Sequence, residues 1–309
     1  MKFLKPKFWD KSQISLFSIF LLPISLLIKL LLFFKKNFTK AEKFPIPVIC
    51  VGNIYLGGAG KTPLCIEIFS ILKNLNKNPA FIRKRYNSFK DEVNLQKTYG
   101  GVYESNKRVD AVKKAIENNI DSAILDDGFQ DFSINKNLSI ICFNEKQWIG
   151  NGFTIPAGPL RESLSSLKRA SCVVINGKKN LDIEKKILEI NNEIKIFYTV
   201  YKPLNIDDFI NQKIISFAGI GNPINFFNLL KDNNIKTTEN ISFPDHYNYS
   251  DDELKNLINK AEKNNSILLT TEKDYYRIND SYKKKIRYIK IKIVIENKNQ
   301  LINEIKKIL

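Results

Sequence analysis

The chain has 309 residues, enough for one large or two medium domains with a buried core. It carries 49 Lys and Arg against 32 Asp and Glu, a net charge of +17. This charge favours negatively charged partners, such as nucleic acid, anionic lipid or phosphorylated substrates. The alternative is that the charge only reflects a composition rich in Lys, Asn and Ile. The four cysteines form no Cys-x-x-Cys pair, which argues against a zinc site and fits buried thiols in a reducing cytosol.

The first element in chain order is an apolar segment, Ser12–Phe34, which is interrupted by Pro23 and Lys29. It is long enough to cross a membrane, and no cleavage site typical of a signal peptide follows it. We expect residues 1–44 to form a membrane-associating helix and a linker, either spanning the bilayer or lying bent at its interface, with lysines among lipid phosphates; a buried core helix is the alternative. Lysines flank both sides and therefore give no orientation: Lys2, Lys5, Lys7, Lys11, Lys35, Lys36, Lys40 and Lys43.

A glycine-rich loop follows the apolar strand Val48–Val51 and precedes a helix predicted over Thr62–Lys73. This order is typical of the loop that holds the phosphates of a nucleoside triphosphate, with Lys61 on the β- and γ-phosphates and Thr62 on Mg²⁺. Tyr55 stands where the usual pattern has its first glycine. The predicted ATP-binding residues are Tyr55, Leu56, Gly57, Gly58, Ala59, Gly60, Lys61 and Thr62.

Strands alternate with helices beyond this loop, which predicts a parallel sheet flanked by helices over residues 45–205. The segment Lys84–Gly101 has no clear periodicity and is predicted to be a loop. One buried strand ends in Asp126 and Asp127, and either carboxylate could bind Mg²⁺, although an Asp-Gly turn explains the pattern as well. The predicted elements are strand Pro79–Ile82, helix Arg108–Asn118 and strands Ser122–Leu125, Leu138–Phe143, Ser171–Ile175 and Ile194–Tyr201.

A loop rich in glycine and proline, Gly150–Glu162, ends in an Arg-Glu pair. Arg161 is a candidate for clamping a phosphoryl group, and Glu162 is a candidate for supporting the metal. A purely structural turn is the alternative.

The α/β pattern begins again in residues 206–309, which predicts a second, smaller α/β domain. Its single histidine, His246, lies in a polar turn beside Asp245. Such a residue is either structural or an accessible acid–base group. The predicted elements are strand Ile214–Gly219, helix Pro223–Leu230, a capped helix from Ser250 to about Lys263, strands Ile267–Thr270 and Arg287–Ile295, and helix Asn299–Leu309.

Six motifs in this order resemble the tetraacyldisaccharide 4'-kinase family, the lipid A 4'-kinases of Gram-negative bacteria. The resemblance covers nearly the whole chain and includes the apolar N-terminus. It lies in Gly52–Pro63, Asp126–Gln130, Gly150–Glu162, Gly219–Pro223, Phe243–His246 and Thr271–Asp274.

The resemblance implies an α/β fold with a P-loop NTPase-type sheet, and a kinase on the cytoplasmic face of the bacterial inner membrane. It would use ATP and Mg²⁺ to phosphorylate the 4'-hydroxyl of a lipid-linked disaccharide, giving lipid IVA, with no nucleic acid and no obligate protein partner. Lys61 would serve catalysis at the phosphates. Asp91, with Glu92 beside it as a substrate or phosphate contact, would pair with His246 to activate the sugar hydroxyl. Since the predicted domains divide this pair, domain closure would assemble it.

The sequence departs from the family pattern at several positions. Asp131 replaces a histidine after the Asp-Asp-Gly turn, and Arg83–Tyr86 is a reduced form of an Arg-Gly-Tyr-Gly-Gly stretch. Lys90–Val93 stands where the family has Gly-Asp-Glu-Pro, so that of all the residues assigned from the family pattern Asp91 has the least matching sequence around it. Two other hypotheses are a membrane-associated ATPase switch that positions partner proteins, and a nucleic-acid binder, for which no recognisable module is present.

Overall fold

The computed structural model describes residues 6–10, 14–86 and 90–309. Strands and helices alternate along most of this part of the chain. The α-helices are α1 (Leu16–Phe38), α2 (Lys61–Asn74), α3 (Lys90–Lys97), α4 (Arg108–Glu117), α5 (Leu181–Leu188), α6 (Pro223–Asp232), α7 (Asp251–Lys263), α8 (Glu272–Tyr275), α9 (Asp280–Lys283) and α10 (Lys298–Lys306). The strands are β1 (Val48–Gly52), β2 (Pro79–Lys84), β3 (Val102–Ser105), β4 (Ser122–Asp126), β5 (Leu138–Asn144), β6 (Cys172–Asn176), β7 (Lys195–Pro203), β8 (Ile214–Ala218), β9 (Thr237–Ser242), β10 (Ile267–Thr271), β11 (Ile286–Ile289) and β12 (Ile291–Ile295).

The larger sheet has the strand order β12-β7-β6-β5-β1-β4-β2-β3, and β1 to β7 pair in parallel. β1 and β4 are fully buried and lie side by side. Because parallel strands end at the same edge of a sheet, the glycine-rich loop after β1 comes together there with the two aspartates at the end of β4, Asp126 and Asp127.

The smaller sheet has the order β11-β10-β8-β9, and its pairs are also parallel. The core beside it is formed by apolar side chains of the strands and of α7, among them Phe217, Leu254 and Leu268. The predicted α/β fold with a second, smaller sheet is therefore confirmed.

Contacts divide the chain into two units. The first contains the described residues up to Arg85, together with Gly101–Val200 and Ile295–Leu309; the second contains the described part of Tyr86–Gly100, together with Tyr201–Val294. This grouping differs from the contiguous division 45–205 and 206–309 that the sequence predicted. The difference arises because the chain leaves the first unit after β2 and returns for β3, and because α10 belongs to the first unit.

Helix α1 turns two serines towards the protein and most of its large apolar residues outward. Its two buried side chains are serines, Ser18 and Ser25, whereas Phe17, Phe20 and Phe38 are exposed. In the described part of the chain it is the one helix long and apolar enough to cross a membrane, with a mean hydropathy of 2.5. The predicted start of the segment at Ser12 and the flanking Lys2, Lys5 and Lys11 lie outside the described residues.

Several elements differ from the sequence prediction. The predicted loop Lys84–Gly101 contains α3, and the predicted single strand Arg287–Ile295 is divided into β11 and β12. β3, α5 and β9 were not predicted. β9 alternates half-buried and exposed residues and includes Glu239 and Asn240, so that its sequence lacks an apolar run.

Candidate active site

The loop after β1 has the backbone of a phosphate-binding loop. Gly57 and Gly60 have φ values of 145° and 83°, in the left-handed region that favours glycine. Gly60 is also the N-cap of α2, a helix of 14 residues whose first N–H groups offer an anion site. A Cβ on Gly58 would meet no atom within 4 Å, so this side of the loop faces open space.

Buried Asn53 holds the loop in shape from behind. Its Nδ2 donates hydrogen bonds to the carbonyl oxygens of Tyr55 (2.6 Å) and Gly57 (3.2 Å). Tyr55 and Leu56, two of the predicted ATP-binding residues, are engaged within the protein: the Tyr55 hydroxyl donates to Asp10, and the Leu56 N–H donates to Pro159. In this structure these two residues anchor the loop.

Asp126, the last residue of β4, lies beside the threonine of the loop. The Thr62 hydroxyl lies 3.4 Å from Oδ2 of Asp126, and the same carboxylate oxygen accepts a hydrogen bond of 2.6 Å from Nη1 of Arg83. Arg83 and Asp126 are both buried, so the carboxylate is neutralised by a cation from the adjacent strand β2. A hydroxyl beside a carboxylate at the mouth of a phosphate loop is a donor set that fits Mg²⁺.

The second aspartate, Asp127, pairs with two cations. Its carboxylate lies 3.6 Å from Nζ of Lys61 and 2.9 Å from Nη1 of Arg161. Burial opposes ionisation, but the charges of Lys61 and Arg161 outweigh it and lower the pKa of Asp127 to about 2. Three residues that the sequence singled out separately, from three different loops, are thus brought together.

Glu162 is held away from these carboxylates by a different partner. Its Oε2 accepts a hydrogen bond of 2.8 Å from Nη2 of Arg169, and its buried Oε1 has no hydrogen-bond partner within the described residues. Over residues 6–10, 14–86 and 90–309, no group of three or more His, Cys, Asp or Glu side chains is arranged to hold a metal ion. The predicted acidic ligands Asp126, Asp127 and Glu162 therefore do not form one cluster, because an arginine pairs with each.

Arg108 and Asp131 fix the turn that carries the two aspartates. Nη2 of Arg108 donates to the carbonyl oxygen of Asp127 (2.8 Å), while its Nη1 lies 3.2 Å from the Asp131 carboxylate. Asp131 also accepts from the Ser133 N–H and hydroxyl, so the residue that replaces the family histidine serves a structural ion pair. Sequence reasoning missed Arg83 and Arg108, and their only signal was a basic residue at the end of β2 and at the start of α4.

The second unit brings Asp91 and His246 together. Asp91 lies in the first turn of α3, is 1% exposed, and its Oδ2 is 3.4 Å from Nδ1 of His246. Nη2 of Arg277 donates to the same oxygen at 2.6 Å, and Nζ of Lys273 lies 3.9 Å away. Burial would raise the pKa of Asp91, but the His246 hydrogen bond and the two cations outweigh it and hold that pKa well below its usual range.

Both members of this pair belong to one unit. The expectation that they lie in different domains, and need closure to meet, was wrong because α3 packs with the elements that carry His246 and Arg277. Glu92, predicted as a substrate or phosphate contact, forms an ion pair of 3.0 Å with Lys273.

Buried Asp274 connects three of the motifs in the second unit. It accepts hydrogen bonds from the Gly219 N–H and the Tyr249 hydroxyl, each at 3.0 Å, and from Nη1 of Arg277. The His246 N–H in turn donates to the Gly219 carbonyl at 3.0 Å, and His246 has a φ of 52°. The turn that carries the histidine is therefore held by the Gly219–Pro223 and Thr271–Asp274 motifs, a role that the sequence did not reveal.

A cavity of about 360 Å³ lies in the first unit between α1 and the segment that follows Arg161. Its lining combines apolar side chains, such as Leu32 and Phe33, with cations, such as Lys29, Lys36 and Lys168. An amphipathic molecule with a negatively charged head matches this mixture of surfaces.

The chain is similar to known proteins in sequence and in structure. A sequence model of the tetraacyldisaccharide-1-P 4'-kinase (LpxK) family matches residues 17–309. The chain is 42% identical over 311 residues to a tetraacyldisaccharide 4'-kinase of Pelagibacter ubique (strain HTCC1062), covering 100% of this chain and 99% of the relative. It is 33% identical over 324 residues to the enzyme of that name from Rickettsia bellii (strain OSU 85-389), covering 99% of each.

One solved structure is similar over nearly the whole fold. A crystal structure of LpxK from Aquifex aeolicus in complex with ATP matches with a TM-score of 0.74 and 27% identity, over 94% of this chain and 99% of that chain. Together with the family match, this similarity confirms the resemblance seen in the sequence motifs: the chain belongs to the tetraacyldisaccharide 4'-kinase family.

Proposed function

We propose that this protein is the kinase that transfers the γ-phosphate of ATP to the 4'-hydroxyl of tetraacyldisaccharide 1-phosphate, giving lipid IVA. The observation that carries the proposal, in a chain of this family, is the separation of 3.4 Å between the Asp91 carboxylate and Nδ1 of His246. An ATPase switch attacks the γ-phosphate with water and needs no base for an alcohol substrate, whereas a sugar kinase needs its hydroxyl activated.

ATP binds at the loop of the first unit. The N–H groups of Gly57–Gly60 face the phosphate oxygens, Lys61 neutralises the β- and γ-phosphates, and Arg161 contacts the transferred phosphoryl group. Asp127 holds both cations in place before the nucleotide arrives. Mg²⁺, when bound by Thr62 and Asp126, would neutralise further phosphate charge.

The acceptor hydroxyl is activated in the second unit. Nδ1–H of His246 faces the Asp91 carboxylate, which orients the ring and leaves Nε2 to accept the hydroxyl proton. As the 4'-oxygen bonds to the γ-phosphorus, the bond from that phosphorus to the β–γ bridging oxygen breaks. Its electron pair leaves with ADP, and the proton moves to Nε2.

The lipid substrate and the membrane are contacted by the first unit. The outward apolar face of α1 supports association with a bilayer. Because the protein uses ATP, the proposal puts its catalytic part on the cytoplasmic side of the inner membrane. The cavity beside α1 offers apolar side chains to acyl chains, and Lys29, Lys36 and Lys168 to the phosphate of the substrate or of neighbouring lipids.

The test measures transfer and hydrolysis side by side. Detergent-solubilised protein is incubated with γ-labelled ATP, Mg²⁺ and tetraacyldisaccharide 1-phosphate, and both labelled lipid and free phosphate are counted. We expect labelled lipid from the wild type and a loss of about 100-fold or more in His246→Ala and His246→Gln, the range of general-base catalysis. Free phosphate without labelled lipid would favour the ATPase switch, and full activity in both variants would refute the role of His246.

A further inference from the structure

We infer that Lys273 is a positioning residue for the transfer: its ammonium group holds the proton of His246 on Nδ1 and keeps Nε2 unprotonated. This inference deepens the proposed function and rests on it only for its catalytic meaning, since the position of the proton can be measured without substrate. Lys273 belongs to the Thr271–Asp274 motif, to which the sequence analysis assigns no role.

The ammonium group is placed against the ring nitrogen that must act as the base. Nζ of Lys273 lies 3.2 Å from Nε2 of His246 and 3.0 Å from Oε1 of Glu92. The ion pair with Glu92, together with Asp91 at 3.9 Å, keeps the ammonium group at this position. Burial lowers the pKa of Lys273, but the charges of Glu92 and Asp91 outweigh it and keep the pKa above its usual value.

An ammonium group donates hydrogen bonds and cannot accept them. A contact of 3.2 Å with a ring nitrogen is therefore favourable only when that nitrogen carries a lone pair, which leaves the proton of neutral His246 on Nδ1. Oδ2 of Asp91 lies 3.4 Å from Nδ1, and its negative charge attracts a proton to that nitrogen. Both groups favour the tautomer with the lone pair on Nε2, and Nε2 can take a proton from a hydroxyl group once Nζ of Lys273 no longer donates to it.

A third group near the ring would favour the opposite arrangement. Oδ1 of Asp245 lies 3.9 Å from Nε2 and would attract a proton to that nitrogen if no cation were present. Among the described residues, the charged groups with a stated distance to the ring are Asp91, Asp245 and Lys273, and Glu92 and Arg277 pair with these groups. Only Lys273 among these opposes protonation of Nε2 by direct contact.

The experiment uses nitrogen-15 NMR of the full-length protein labelled at histidine, and the single histidine of the chain makes the ring signals unambiguous. At neutral pH the wild type should show a downfield, pyridine-type Nε2 signal and an upfield, pyrrole-type Nδ1 signal. In Lys273→Met the Nε2 signal should move upfield towards the protonated form, because Asp245 is then unopposed. Lys273→Arg, which also only donates, should keep the wild-type signature.

Lys284→Met is the matched control, since it removes an exposed lysine of the same unit and should leave both signals unchanged. If Lys273→Met does not fold, Lys273→Ala, which also removes every donor, is read in the same way. An Nε2 that is protonated in the wild type, or an Nε2 signal that is unchanged in Lys273→Met, would overturn the inference. Because no substrate is present, this outcome is independent of whether labelled lipid forms in the kinase assay.

Discussion

Replacing Arg83 with methionine would remove the cation that is hydrogen-bonded to Asp126 while keeping much of the side-chain volume. The two groups are 2.6 Å apart, and their side chains are 7% and 1% exposed. At an effective dielectric constant of about 20, two unit charges at this distance attract by about 6 kcal/mol, part of which is offset by desolvation. Removing one partner of a buried pair costs about 3–5 kcal/mol, and we expect the free energy of unfolding of the first unit to fall by that amount.

The chain offers a direct probe of this unit. Both tryptophans, Trp9 and Trp148, belong to it, so tryptophan fluorescence during urea denaturation reports its unfolding. The matched control is Arg85→Met, an exposed arginine just beyond the same strand, which should change the free energy of unfolding by no more than about 0.5 kcal/mol.

A second substitution separates charge from packing. Adding Asp126→Asn to Arg83→Met leaves no uncompensated charge, and most of the lost stability should return. The reasoning fails if Arg83→Met costs less than about 1 kcal/mol, or if the double variant is no more stable than the single one.

Three further predictions concern single residues. Lys61→Ala should lower kcat in the lipid kinase assay by about 100-fold or more without changing the urea midpoint, because the variant lacks the cation that neutralises the β- and γ-phosphates. An unchanged kcat would contradict the role of the loop. Ser25→Ala removes the hydroxyl that donates to the Thr154 carbonyl and accepts from the Ala157 N–H, and should cost about 1–3 kcal/mol. Ser25→Ala should also make the linker between α1 and β1 more sensitive to protease than it is in the wild type. Equal sensitivity in the two proteins would contradict this prediction. The folded pKa of Asp127 is about 2, below its unfolded value of 3.8, so its contribution to stability is present above pH 4 and is lost as the pH falls towards 2. As the pH is lowered from 6 to 2, the urea midpoint should fall less in Asp127→Asn than in the wild type. An equal fall in both proteins would refute this assignment.

The parts of the site that are local in sequence could be predicted. An apolar strand followed by glycines and Lys61-Thr62 predicts the backbone of the phosphate loop. The apolar run that ends at Asp126 predicts a buried strand, and therefore the edge of the sheet at which this carboxylate lies. The partners of these residues could not be predicted, because Arg83 and Arg108 act from a neighbouring strand and a helix far away in sequence.

The segment that carries Asp91 shows the same limit. α3 buries only a few apolar residues, such as Val93 and Leu95, and its polar sequence has no clear helical periodicity. An ion pair between Asp91 and Arg277, which are far apart along the chain, joins α3 to the rest of the second unit. The pairing with His246 was available only from the resemblance, whereas the role of Lys273 needed the side-chain geometry.

The most direct test of the proposed activity is the identity of its lipid product. After incubation with ATP, Mg²⁺ and tetraacyldisaccharide 1-phosphate, tandem mass spectrometry of the extracted lipid locates every phosphate. A product with one added phosphate on the 4'-position, the 1-phosphate retained, and no such product from His246→Ala is the predicted result. Unmodified lipid with ATP consumed, or a phosphate added elsewhere, would contradict it.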